Sequence, residues 1–263
     1  MVADTRQSIM KRTISVILFL IATVHTLHLS AAISLQDETL RYKVMYKWGL
    51  INSQAGNATL TLKSDGKTYK AMLAAASEPW ADRIYKVRDT LLCTMEKDSM
   101  FPIRYEKIAH EDGKYNHDVI KYTRDGNLFT GHCSRFKRKK DNSTSSDSIT
   151  LQATGTTVDM LSVYYYLRAL DFKAMTVGQT ITINIFSGKR KELLRLKYRG
   201  NETVKIDKTP YQCYRVSFTF TSDGKTKTSD DMEAWISIDS RRIPVKLEGK
   251  LPVGKIRCLY TGE

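Results

Sequence analysis

The stretch "WISIDSRRIPVKLEG", Trp235 to Gly249, carries the reading that decides the fold. Ile236 and Ile238 alternate with Trp235, Ser237 and Asp239, and Ile243, Val245 and Leu247 resume the alternation beyond a polar corner. Successive side chains of a strand point to opposite faces, so period two interrupted by a turn predicts a β-hairpin. Asp239 and Ser240 can begin that turn, because an Asp side chain accepts a backbone N–H two residues on. Arg241 and Arg242 take the corner, where one can lie over Trp235 or pair with Asp239. Pro244 has no N–H to donate and belongs where its strand lacks a partner on that side. Trp235, Asp239, Arg242 and Pro244 therefore read as a structural corner before they read as a binding site.

The same rhythm runs through most of the chain. In "RYKVMYKWG", 41–49, Tyr42, Val44, Tyr46 and Trp48 share one face and Arg41, Lys43, Met45 and Lys47 the other. Similar runs fall at about 55–63, 67–77, 84–96, 102–110, 115–123 and 127–137, and again at 180–187, 192–199, 202–208, 211–221 and 254–261. Ser64-Asp65-Gly66, Glu111-Asp112-Gly113 and Arg124-Asp125-Gly126-Asn127 supply turns. This many short strands predicts a mostly β fold: an antiparallel, strongly curved sheet forming a barrel or half-barrel, which also removes exposed edges.

Two segments break the rhythm. "RFKRKKDNSTSSDS", 135–148, is basic and then Ser/Thr/Asn/Asp-rich, and its composition predicts a mobile loop. "TTVDMLSVYYYLRALD", from Thr156, has helical spacing, with Thr156 or Thr157 able to cap it. Apolar residues cover most of that helix's circumference, which predicts one largely buried helix near 157–170 against the concave face of the sheet. Arg168 falls in the middle of the apolar arc between Leu161 and Tyr164. A buried guanidinium must find an anion, so Asp239 and Asp89 are the first candidates, a ligand anion is the functional alternative, and snorkelling to solvent is the bland one.

Lys11 and Arg12 precede an apolar run that ends in Ser30-Ala31-Ala32, the pattern of a secretory signal peptide over 1–32 followed by a single β-rich domain over 33–263. The rival reading is an uncleaved anchor, and the small-residue exit favours cleavage. Net charge is +14 over 263 residues. In an exported chain that balance points to anionic headgroups, acidic glycans or solubility rather than to nucleic acid. The run Lys137-Arg138-Lys139-Lys140 is the obvious anionic-surface contact. At about 1 kcal/mol per charge it assists docking without anchoring the protein. Four cysteines allow two disulfides, and Cys213 with Cys258 is the preferred pair, the alternative being small buried hydrophobes. His110, His117 and His132 lack any catalytic or zinc-binding context, and no metal, cofactor or catalytic residue is expected.

"VDMLSVYYYLR" at 158–168, "WISIDSRRIPV" at 235–245 and "WADRIYKVRDT" at 80–90 together resemble the domain of unknown function 3108 family of exported Gram-negative bacterial proteins. The resemblance spans about 38–261. It implies an antiparallel β fold and a periplasmic or outer-membrane-facing location, and it implies no activity. Three readings follow. The first is a non-enzymatic carrier of lipid or another amphiphile, with Trp48, Tyr164, Tyr165 and Arg168 as candidate ligand contacts. The second is an envelope structural or assembly protein that binds other proteins, and the third, lower in order, is a hydrolase.

Overall fold

The computed structural model describes residues 35–222, 232–250 and 254–263. The leader read at 1–32 lies outside the described residues. The first half is a run of strands: β1 (Glu38–Trp48), β2 (Ile51–Asp65), β3 (Thr68–Ser77), the one-turn helix α1 (Pro79–Asp82), β4 (Val87–Glu96), β5 (Pro102–Glu111), β6 (Lys114–Asp125), β7 (Leu128–Arg138) and β8 (Thr144–Thr154). Then come β9 (Thr157–Asp159) and helix α2 (Ser162–Ala169). The chain finishes with β10 (Thr180–Phe186), β11 (Lys191–Ile206), β12 (Thr209–Ser222), β13 (Met232–Ser237), β14 (Pro244–Lys250) and β15 (Lys255–Gly262).

The fifteen strands of the described residues belong to one sheet, ordered 8-7-6-5-4-3-2-1-15-14-13-12-11-10-9. Neighbours are antiparallel, apart from the short parallel pair β9–β10. The two halves meet where β1 pairs β15, with Tyr42 opposite Tyr260 and Val44 opposite Cys258. The ends of the order, β8 and β9, are consecutive in sequence, so the sheet rolls into a nearly closed barrel whose margins overlap. At the overlap Phe186 of β10 stacks on Tyr122 of β6, with ring centroids 5.7 Å apart. A Cβ at Gly131 of β7 would stand 2.6 Å from that Phe186 ring, so only glycine fits there. Asn184 Nδ2 ties the seam by donating to the carbonyls of Thr154 (3.0 Å) and Thr156 (3.2 Å).

Because the sheet is an antiparallel meander, alternate turns gather at opposite ends. The turns β2–β3, β4–β5, β6–β7, β11–β12 and β13–β14 lie at one end, where α2 also sits, here called the helix end. The connections β1–β2, β3–β4, β5–β6 and β7–β8 lie at the other, the mouth end, together with Lys250 and Lys255.

The buried segment over 157–170 begins as strand rather than helix. Thr157–Asp159 pair with β10, Leu161 holds the N-cap position, and the side chain that meets the helix start is Asp159 rather than Thr156 or Thr157. Its Oδ1 accepts the N–H groups of Leu161 and Ser162, both at 2.7 Å, while Ser162 Oγ accepts the Asp159 N–H at 2.9 Å. This reciprocal arrangement satisfies the first orphan donors of a buried helix.

Three expectations are corrected. Residues 135–148 form no mobile loop. They are the end of β7, a turn, and the start of β8, whose backbone pairs residue by residue with β7 from Leu128↔Thr154 to Arg138↔Thr144. The runs at 192–199 and 202–208 are one strand, β11, with a bulge at Gly200 (φ +94°). Cys213 and Cys258 do not form a disulfide, and all four cysteines are free. Those two lie on β12 and β15, three strand spacings apart in the sheet order. That is about 14 Å along the sheet, beyond the reach of an S–S bond.

Candidate ligand recess

The helix end is closed by chemistry that the chain supplies itself. Arg168 is 1% exposed. Its Nη1 donates to Glu38 Oε1, and its Nη2 to Glu38 Oε2 at 3.1 Å and to the Arg241 carbonyl at 2.8 Å. The Tyr164 and Tyr165 rings flank the guanidinium at 5.6 and 5.7 Å. Burial alone would lower the Arg168 pKa, but the hydrogen bond to Glu38 reverses the direction and holds the charge in place. The anion is therefore Glu38, not Asp239, Asp89 or a ligand. Asp239 is occupied in its own corner, accepting the N–H groups of Arg241 (3.0 Å) and Arg242 (3.2 Å) and the Ser237 hydroxyl (2.9 Å). Asp89 stands farther along the barrel, toward the mouth.

The four candidate ligand contacts do not converge. Tyr164 hydrogen-bonds Tyr42 at 2.7 Å between hydroxyls, Tyr165 is fully buried, and both belong to the stopper around Arg168. Trp48, at the mouth end of β1, is 56% exposed. The bulge between Val44 and Met45 adds Ala55 to β2 and leaves the alternation of β1 unbroken, so Trp48 is exposed because it ends its strand at the open rim.

The hairpin corner is likewise internal. Arg242, at φ 49°, is buried between Tyr214 and Phe172 and donates to the Leu170 carbonyl at 2.8 Å, just past the end of α2. The cations over Trp235 are Lys246 of β14 (3.9 Å) and Arg215 of β12 (5.7 Å), not a corner arginine. Pro244 opens β14 and faces Ile236 of β13, while pairing of β14 with β15 begins at Lys246.

The concave face toward the mouth differs. Leu62 and Tyr105 nearer the helix end are almost wholly buried, whereas Leu73, Leu91, Leu247, Cys258, Met232 and Phe220 remain half-buried. Register places them on one inner wall, since Leu73 faces Leu91 and Cys258 faces Leu247. Water reaches this apolar surface, so α2 fills the barrel only in part. On the same face β4–β6 contribute a polar arc in which Leu91 lies opposite Lys107, Asp89 opposite Ala109 and Lys107 opposite Asp118. Lys107 Nζ is 3.5 Å from Glu111 Oε1. Burial first and the Glu111 charge second push the Asp89 carboxyl up. Deeper in the arc, Arg135 Nε donates to Asp118 at 2.9 Å, both side chains being under one-tenth exposed. An apolar wall facing a charged arc can take an amphiphile, with its chain on the first and its head on the second.

None of this arc was legible in the sequence as a site, because its members come from three strands and meet only through register. Lys137 and Arg138 end β7 and Lys139 and Lys140 begin the following turn, where Lys140 pairs with Asp112 of the β5–β6 turn. Of the histidines, His117 Nε2 lies 2.7 Å from Glu106 Oε1. No group of three or more His, Cys, Asp or Glu that could hold a metal occurs among the described residues.

The fold defines a β-barrel-like protein, and comparison with solved structures agrees. A β-barrel-like protein of domain of unknown function DUF1849 from Brucella abortus superposes with a TM-score of 0.60 over 87% of this chain and 97% of its own, at 10% identity. That likeness concerns the fold alone. The family model described as "Protein of unknown function (DUF3108)" matches residues 41–259, and the chain belongs to that family. No curated protein matches the chain.

Proposed function

We propose that this is an exported, envelope-located protein without catalytic function that holds one amphiphile in the open part of its barrel. The observation that carries the reading is the half-buried inner wall of Leu73, Leu91, Leu247, Met232 and Phe220 opposite Lys107, Asp89 and Glu111. In a barrel filled by its own side chains, such residues would be as buried as Leu62 or Tyr105 are at the other end. The apolar tail lies along the wall, and the head meets Lys107 if acidic or Asp89 and Glu111 if basic.

Extraction of the purified protein with organic solvent, followed by mass spectrometry, tests this. A lipid or fatty acid near one equivalent is the expected result. A lipid-free extract from protein that also fails to take up added oleate overturns it.

A second reading, a strand-adding assembly partner, has one observation in its favour. β8 is an eleven-residue margin of the sheet, paired on one side with β7, and Asp147 is its only charged residue. Co-purification of an envelope protein, lost on a Ser146→Pro/Ser148→Pro change, would favour that reading.

A further inference from the structure

The meander brings together at the mouth end features that are scattered through the sequence. The β1–β2 tip exposes Trp48 (56%), Leu50 (105%) and Ile51 (38%), and the β3–β4 connection beside it exposes Ile84 (72%) and Tyr85 (44%). Basic side chains surround them: Lys47, Arg138, Lys139, Lys140, Lys250 and Lys255 are all exposed and all at this end. Beside Trp48 a recess of about 310 Å³ is lined by Lys47, Lys255 and Arg257, with Glu248 as its one carboxylate. Both ends carry acids among their cations, Glu78, Asp82, Asp112 and Asp141 at the mouth and Asp65, Asp98, Asp125, Asp207 and Asp239 at the helix end. The exposed Trp, Leu, Ile and Tyr tips stand together only at the mouth, with Val177 (72%) the most exposed apolar side chain of the helix end among the described residues.

From this cluster of apolar tips beside exposed lysines we propose that the mouth end is a docking face for an anionic phospholipid bilayer. Trp48, Leu50, Ile51, Ile84 and Tyr85 enter the headgroup boundary, the lysines meet the surface charge, and the recess beside Trp48 seats a lipid phosphate. Basic residues ringing exposed aromatic and aliphatic tips fit a membrane interface, whereas a glycan or nucleic acid would leave Leu50 and Ile51 without a partner. The inference goes beyond the cargo reading and rests on different residues, those of the outer rim rather than the inner wall. It widens the contact read at Lys137–Lys140 to a whole end of the barrel, and it turns the open wall toward the bilayer.

The test is vesicle flotation of the purified protein, with phosphatidylglycerol-containing vesicles beside pure phosphatidylcholine ones. Binding at least tenfold tighter to the anionic vesicles is expected, weakening with salt. Leu50→Ser/Ile51→Ser and Lys139→Glu/Lys140→Glu should each weaken it about tenfold or more. Lys67→Glu/Lys208→Glu, the same charge change at the helix end, should alter it less than twofold. All six positions lie in exposed turns or at strand margins, and unchanged thermal melts separate docking from folding. Quenching of Trp48 fluorescence by brominated lipid, absent in Trp48→Phe, reports insertion independently of affinity.

The proposal is overturned by any of four results: no vesicle binding, equal binding to both lipids, equal losses from the two lysine pairs, or insensitivity to Leu50→Ser/Ile51→Ser. Cargo extraction reads the inner wall separately, so either idea can fail alone.

Discussion

The two ends of this barrel solve opposite problems with the same sheet. At the helix end the chain closes its own interior: α2 brings Arg168 to Glu38 and Tyr164 to Tyr42, and Arg242 covers the carbonyl of Leu170. Toward the mouth one inner wall, from Leu73 and Leu91 to Leu247, Met232 and Phe220, is apolar and left half-buried beside the charged arc of β4–β6, and the rim carries exposed lysines and apolar tips. Most buried polar groups of the plug pair with one another, Arg168 Nε and the Tyr165 hydroxyl being without a hydrogen-bond partner, while apolar groups left open to water await a partner. A fold that needed only stability would have filled both ends.

The largest expected effect breaks the plug. Glu38→Ala leaves the Arg168 charge buried and unpaired and should cost about 3–5 kcal/mol in urea unfolding. Glu38→Leu combined with Arg168→Met should recover most of that loss. A cost below about 1 kcal/mol for the single change would mean that the pair does not hold the stopper.

Matched truncations sharpen the contrast between the ends. Leu161→Ala, at 1% exposure in the stopper, should cost about 2–4 kcal/mol. Leu73→Ala, on the half-buried wall, should cost about 1 kcal/mol. Equal costs would erase the distinction between a filled end and an open one.

A smaller effect concerns pH. Burial pushes the Asp159 carboxyl up against the hydrogen bonds it accepts from Cys93 and the helix N-terminus. The folded state therefore keeps a proton that the unfolded chain releases first. The contribution of Asp159 to stability is greatest below the unfolded carboxylate pKa and falls as pH rises from there through the folded value, against the opposite trend of the lowered Asp82 and Glu106 carboxyls. Asp159→Asn keeps an oxygen for both N–H groups and should remove that contribution, so that its urea midpoint gains on the wild type as pH rises across the acid range. Midpoints that run parallel in variant and wild type would assign the pH dependence elsewhere.

The smallest effect is chemical. Burial pushes the Cys133 and Cys258 thiols up to about 11 and Cys213 to about 12. A colorimetric thiol reagent at neutral pH should find almost no reactive group in the folded protein and four in denaturant. Fewer than four in denaturant would show a disulfide after all.

How much of this was legible in the sequence follows from what each feature depends on. The hairpin at Trp235–Gly249 and its neighbours were readable because burial on one face writes a period of two into the strand. The wheel put Arg168 among apolar residues, yet Glu38 lies 130 positions away and only the fold brings it there. Residues 144–150 looked like a loop because all of them are exposed in a marginal strand, so no apolar periodicity marked a backbone that β7 alone holds. The alternation of Trp48 with Tyr42 was readable, but not that β1 ends there and leaves the ring exposed at the rim. The basic rim was invisible for another reason: Lys139, Lys255 and Trp48 become neighbours in function only once strand directions assign each turn to an end.

The most direct test is a titration with a fluorescent fatty acid, run in the wild type, in Leu91→Trp to fill the mouth, and in Tyr165→Phe to alter the stopper conservatively. Saturation near one equivalent is predicted for the wild type and Tyr165→Phe, with at least tenfold weaker uptake in Leu91→Trp while its melting transition stays cooperative. Saturable uptake that Leu91→Trp leaves untouched, or no uptake by the wild type, would contradict an interior that is stoppered at one end and open to a ligand at the other.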